Sequence, residues 1–245
     1  MSVETIAPGI HLYPLGFVNV IFLDDDSGPI IVDTGMPNSA EKILSVLKER
    51  GHAPEDVQKI IVTHKHIDHT GSLEALKRET KAPAVMHPLD AASVRKGEIM
   101  LPVKTSPGLF SNLMSVMMQM TSSNLEPVAI EEEVREGDHL ALAGGIEVLH
   151  TPGHSAGHIS LYLPRDDGIL IVGDAAINVL GLRFPPFFED MDAGVASLKR
   201  LSSLHFNTAV FMHGKPINNL ASERFSRKWM HSIIGSNIPA NLQGH

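Results

Sequence analysis

Four metal-capable side chains crowd into six residues: His64, His66, Asp68 and His69. Directly before them runs Lys59-Ile60-Ile61-Val62, an apolar stretch that reads as a buried strand. The two features together constrain the fold. A rigid strand ends where the cluster begins, so the side chains are delivered to the edge of a sheet. Imidazole and carboxylate are the groups that borderline metals such as zinc accept. The chain has no cysteine. Neither disulfides nor thiolate ligands are available, and any metal must be held by nitrogen and oxygen.

The 245 residues suffice for one large domain or two small ones. No apolar run reaches the ~18 residues of a membrane span. The N-terminal Met1-Ser2-Val3-Glu4-Thr5 lacks the basic and apolar regions of a secretory signal, so a cytoplasmic location is expected. The net charge of -8 disfavours a nucleic-acid backbone as partner.

Apolar runs at Ile10–Tyr13, Phe17–Leu23 and Pro29–Val32 read as strands, the last two joined by a turn over residues 24–28. A helix capped by Asn38, with Glu41 three residues on, should carry Ala40, Ile43, Leu44 and Leu47 and stop at Gly51. Leu73 and Leu76 mark a second helix just after the metal-capable cluster. The second half repeats the plan. His139–Ala143 and Ile146–His150 flank Gly144-Gly145, and Ile159–Leu163 and Ile169–Val172 flank Asp166-Asp167-Gly168, both hairpin signals. A helix from about Asp192 carries Val195, Leu198 and Leu201, and Ala209–Phe211 is a late strand. Strands followed by helices, twice, predict two sheets packed together with helices outside. No linker divides the halves, so residues 1–245 read as a single domain. Between the halves, at about 97–127, lies a methionine-rich insertion in which Leu109, Phe110, Leu113, Met114, Met117 and Met118 recur at helical spacing. This helix is a core element, a lid or a homodimer surface, since methionine suits adaptable apolar contacts.

Further candidates follow other predicted strands. Asp33 stands in Val32-Asp33-Thr34-Gly35, His154 in Thr151-Pro152-Gly153-His154, Asp174 after Gly173, and His213 between Met212 and Gly214. Each alone is an ordinary polar residue at a turn. In this order, His64-x-His66-x-Asp68-His69, His154, Asp174 and His213 resemble the metallo-β-lactamase fold superfamily, over most of the chain from about Ile10 to Gly214. The resemblance implies an α/β fold, a four-layer αβ/βα sandwich of two mixed β-sheets with helices on the outer faces. It also implies two divalent metal ions per chain in a cleft at one edge. One would take His64, His66 and His154, the other Asp68, His69 and His213, and Asp174 would bridge them. Asp33 would orient a ligand imidazole through its second ring nitrogen. His150 and His158 match no ligand position and are read as structural. Zinc is the expected metal; manganese and iron are also compatible with histidine and aspartate.

Two such ions would share a water and lower its pKa towards about 7, and the resulting hydroxide would attack a carbonyl or phosphoryl centre. Asp174 and Asp68 are the catalytic candidates, the first by holding the ion pair, the second by carrying a proton near the leaving group. Asp174 separates the chain from the β-lactamases of this fold, which generally lack the bridging carboxylate. Hydroxyacylglutathione hydrolases share all seven ligand positions. Acyl-homoserine lactonases resemble the chain in length and ligand set, but commonly place a tyrosine where this chain has Ile177. The stretch from Leu182 to Phe188 either packs on the sheet or walls an apolar substrate group, with Arg183 available for a carboxylate. The expected function is hydrolysis of a small ester, thioester or lactone with an apolar portion. The alternatives are an iron-dependent oxidoreductase of the same fold, similar to the persulfide dioxygenases, and a phosphodiesterase. Persulfide dioxygenases use one iron held by two histidines and one aspartate, whereas here a second ligand set is complete.

Overall fold

A computed structural model describes residues 2–98, 104–105 and 126–230. The residues from Leu109 to Met118, and the lid, dimer or core helix expected there, lie outside that range. The alternation of buried side chains along the strands explains the architecture. The first sheet joins, in spatial order, β1 (Glu4–Ala7), β2 (Ile10–Leu15), β3 (Val18–Leu23), β4 (Ile30–Val32), β5 (Lys59–Ile61), β6 (Ala84–Met86) and β8 (Glu132–Glu133). Pairing is antiparallel from β1 to β4 and parallel from β4 to β8. The short β7 (Lys104–Thr105) pairs instead with β15 (Phe187–Phe188). The second sheet joins β16 (Thr208–Val210), β12 (Ile169–Ile171), β11 (Ile159–Leu163), β10 (Ile146–His150) and β9 (His139–Leu140). Only its β12–β16 pair is parallel. A further hairpin joins β13 (Ile177–Asn178) to β14 (Leu182–Arg183).

Successive strand residues point to opposite faces. Ile30, Val32 and Ile61 of the first sheet therefore meet Ile169, Ile171 and Val210 of the second in a shared inner core. Their neighbours Ile31 and Ile60 pack outward, among Ile43, Leu47, Leu73 and Leu76 of the helices Ala40–Glu49 and Leu73–Thr80. On the far side, Leu170 and Ala209 pack among Leu198 and Leu201 of the helix Met191–Ser202, with Phe225 and Trp229. Two mixed sheets face each other and helices cover both outer faces. This is the four-layer sandwich expected. Strands buried on both faces need continuous apolar runs, which is why β4, β5 and β12 contain only aliphatic residues beyond Lys59.

Some boundaries differ from expectation. Asn38 takes a left-handed conformation (φ 67°) and does not cap; Ser39 precedes the helix Ala40–Glu49. The strand predicted over His139–Ala143 stops at Leu140, because Ala143, Gly144 and Gly145 all turn at positive φ. Val195 is half-buried, while Gly194 and Ser197 join Leu198 and Leu201 on the buried face. The helix Pro88–Val94 had no sequence signal beyond Pro88 in its first turn. Among the described residues no helix is long and apolar enough to cross a membrane.

Candidate metal centre

The parallel pairs β4–β5 and β12–β16 send their C-terminal ends to one edge. Asp33 follows β4, His64 to His69 follow β5, His154 follows β10, Asp174 follows β12 and His213 follows β16. Hydrogen bonds lock the two sheets beneath that edge. Ile159 N–H donates to Thr63 O (2.9 Å) and Asn19 N–H to Met212 O (2.7 Å), while the Asn19 amide reaches Phe211 O (2.8 Å). A one-turn helix, Ile67–Thr70, folds the cluster back on itself. Its Thr70 hydroxyl donates to Lys65 O and His66 O (3.1 and 2.9 Å), and Thr34 Oγ1 donates to His69 O (2.7 Å). Gly173 has φ +61°, and a Cβ there would lie 2.4 Å from His158 Nε2, so only glycine lets the chain turn into Asp174.

All seven predicted ligands converge. His64, His66 and His154 form one group whose ligand atoms lie within 4.8 Å of one another, and Asp68, His69 and His213 form another. His64, His69 and Asp174 form a third group that joins the two. Asp174 Oδ2 lies 3.5 Å from His154 Nε2, 3.2 Å from His213 Nε2 and 3.7 Å from His69 Nε2. Asp68 Oδ2 lies 3.2 Å from His213 Nε2. His64, His66, His69, His154 and Asp174 are buried; Asp68 and His213 are partly exposed, so the centre opens to solvent on their side.

The second nitrogen of four of these rings is already committed. His69 Nδ1 donates to Asp33 Oδ2 (2.7 Å), His154 Nδ1 to Phe187 O (2.8 Å) and His213 Nδ1 to Phe17 O (2.8 Å). Thr63 Oγ1 donates to Asp33 Oδ2 (2.8 Å) and so accepts from His64 Nδ1 (3.0 Å). In the neutral rings each Nε2 then presents a lone pair to the centre, the arrangement that orients metal-binding histidines. His66 and His154 meet through Nδ1 and Nε2 at 2.9 Å.

Charge points the same way. Burial pushes His64 and His66 well below the ordinary histidine value and lowers His154. Burial opposes charge on His69 as well, but Asp68, Asp33 and Asp174 outweigh it and raise that ring to about 10. His213 is raised well above its ordinary value, because Asp174 and Asp68 overcome its desolvation. Asp68 and Asp174 are held low, against their burial, by the facing histidines. The cleft thus calls for positive charge. His64 Nε2, His69 Nε2 and Asp174 Oδ1 are buried with no hydrogen-bond partner among the described residues. Bound metal cations would satisfy these atoms, and the nitrogen and oxygen donors suit zinc, manganese or iron.

His150 and His158 lie outside the ligand groups. His158 is enclosed in a hydrogen-bond chain. Its Nε2 accepts from Asp174 N–H (2.8 Å), its Nδ1 donates to Thr151 Oγ1 (2.7 Å), and the chain continues through Ser160 to Val172 O. His150 stacks on His87, with ring centroids 4.1 Å apart. Phe184 and Phe188 pack into the outer core with Trp229, and Arg183 donates to Leu180 O (3.0 Å). Sequence reasoning missed the buried Lys65 and Asp90 and the partly buried Glu189, a charged group beside the cluster. The signal was a lysine inside an otherwise ligand-rich motif that ends a buried strand.

The family model of the metallo-beta-lactamase superfamily matches residues 13–213. The "Probable metallo-hydrolase YflN" of Bacillus subtilis (strain 168) is 29% identical over 234 residues, covering 86% of each chain. An N-acyl homoserine lactonase of Bacillus sp is 28% identical over 222 residues, covering 80% of this chain and 76% of the lactonase. A beta-lactamase from Chitinophaga pinensis superposes with a TM-score of 0.71 at 22% identity, covering 95% of this chain and 92% of its own. At that identity the likeness speaks for the fold alone.

Proposed function

The chain belongs to the metallo-beta-lactamase superfamily, and from that premise we propose that it is a dinuclear metal-dependent hydrolase of a small ester, thioester or lactone. The observation that carries the reading is Asp174, whose Oδ2 faces His154 of one ligand group and His69 and His213 of the other. His64, His66 and His154 would hold one ion, Asp68, His69 and His213 the second, and Asp174 both. When bound, two such ions acidify a shared water and polarise the substrate carbonyl. Asp33 and the Phe187 and Phe17 carbonyls hold the rings of His69, His154 and His213 in place beforehand. Asp68 stands at the solvent-facing side, where its carboxylate would pass a proton to the leaving group. Ile177 is buried in β13, so no tyrosine shares that task at the position where lactonases commonly carry one. Phe17 is 59% exposed and stacks on His213 at 5.9 Å, which supports a substrate with an apolar portion at the mouth. The lactonase relatives support placing lactones first among the substrates to be tried.

Elemental analysis of protein purified without chelator, combined with a panel of lactones, esters, thioesters and phosphodiesters, tests the proposal. Two ions per chain with turnover confined to carbonyl substrates is the expected result. A ratio that stays near one after incubation with excess zinc or manganese overturns the dinuclear assignment. Hydrolysis of phosphodiesters alone overturns the carbonyl reading.

A further inference from the structure

Lys65 lies between two of the proposed ligands, yet its ammonium meets a different set of groups. It is 1% exposed, with Nζ 2.7 Å from Glu189 Oε1 and 3.9 Å from Asp90 Oδ1. Asp90, fully buried on the helix Pro88–Val94, accepts from two segments at once. Its Oδ2 takes Lys65 N–H (3.0 Å) and the Ser155 hydroxyl (2.6 Å), and its Oδ1 takes Gly157 N–H (2.8 Å). Contact is tight enough that a Cβ on Gly157 would lie 2.7 Å from Asp90 Oδ1. Glu189 closes the circuit. Its Oε2 accepts Ala156 N–H (2.8 Å), and its own N–H donates to Gly153 O (2.8 Å). The backbone of the His64–His66 turn and the loop that carries His154 are therefore tied to one carboxylate, with one ammonium and a second carboxylate bracing it.

The other half of the centre is held differently. His69 is fixed by Asp33, whose partners are Thr63 and His69. None of the hydrogen bonds of Asp90 reaches Asp68, His69 or His213. We propose that Asp90, braced by Lys65 and Glu189, is the positioning residue of the three-histidine half of the centre and acts on that half selectively. The proposal rests on the dinuclear reading above. An Asp90→Asn substitution turns one acceptor oxygen into a donor facing donors. Either the Lys65 backbone or the His154 loop is then released, and the three rings lose their common focus. Loss of such a supporting group commonly weakens a metal site by about 10–100-fold.

The test uses Co2+ added to the chelator-stripped full chain, followed by visible absorption and by competition with a chromophoric chelator. Wild type is expected to take two equivalents; if it takes only one, the dinuclear reading itself fails. His213→Ala leaves the three-histidine set intact, and His154→Ala leaves the other set intact. Adding Asp90→Asn to the first background should weaken the remaining equivalent about 10–100-fold and change its cobalt spectrum. Adding it to the second should leave affinity within about twofold, since no contact of Asp90 reaches that set. Equal weakening in both backgrounds, or none in either, overturns the proposal while the dinuclear reading stands. If circular dichroism shows that Asp90→Asn does not fold, Lys65→Met and Glu189→Gln in the same two backgrounds decide by the same criteria.

Discussion

At the scale of single residues, His158 and Asp174 show what separates a histidine beside the centre from a member of it. Both nitrogens of His158 are used within the protein, one by Asp174 N–H and one by Thr151. Asp174 Oδ1, by contrast, is buried with no hydrogen-bond partner among the described residues. His158→Ala should lower stability by about 1–3 kcal/mol, because a buried N–H loses its acceptor, and should keep metal bound. Asp174→Ala should lose metal and most of kcat. Thermal melts beside elemental analysis separate the two, and equal metal loss would show that one role is misassigned. His87 makes a pH prediction away from the centre. Burial, with His150 and Arg135 nearby, lowers it from 6.5 to about 4. The unfolded chain then binds that proton more readily than the folded one. The stabilising contribution is complete above pH 6.5 and is lost as pH falls towards 4. His87→Gln should flatten the stability profile in that window, read by urea unfolding at several pH values. The seven candidate ligands were legible in the sequence because their order along the chain resembles that of the metallo-β-lactamase fold, although His154, Asp174 and His213 are each, taken alone, ordinary polar residues at turns. Lys65, Asp90 and Glu189 were not, because their meaning lies in contacts between segments far apart in the chain.

At the scale of elements, the aliphatic runs of β4, β5 and β12 were legible because burial on both faces demands uninterrupted apolar residues. The helix Pro88–Val94 was hidden because it is short and buries Asp90 along with Ala91 and Val94, which breaks the apolar period. Asn38 misled because its side chain suits a cap while its backbone had already turned left-handed. The helix Met191–Ser202 docks unusually closely on the His154 loop. A Cβ on Gly153 would lie 2.3 Å from Gly194 Cα, and one on Gly194 would lie 2.3 Å from Phe188 Cε1. Gly194→Ala should therefore push the helix outward, at a cost of about 1–3 kcal/mol for overpacking. It should also disturb His154, whose Nδ1 depends on Phe187 O next to that ring. The urea midpoint and cobalt affinity should fall together; a drop in stability alone would uncouple the helix from the centre.

At the scale of the whole molecule, the proposed ligands divide between the sheets. The first supplies His64, His66, Asp68 and His69, and the second supplies His154, Asp174 and His213. Bound ions would cross-link the two halves as well as serve chemistry. Each ion that binds only the folded chain adds about 2.7 kcal/mol at a hundredfold excess over its Kd, on the order of 5–10 °C in Tm for a chain of this size. Scanning calorimetry with and without chelator should show a fall of that order, and an unchanged Tm would mean that no ion binds the folded chain in preference to the unfolded one. The same division has a consequence for biosynthesis. The ribosome delivers the His64–His69 cluster first, and His213 follows on the order of ten seconds later. During that interval the nascent chain can offer only a partial, exchangeable grip on any ion. If the chain takes metal as proposed, full loading would follow folding of the second half, and the metal supply where folding finishes would bear on which ion is carried.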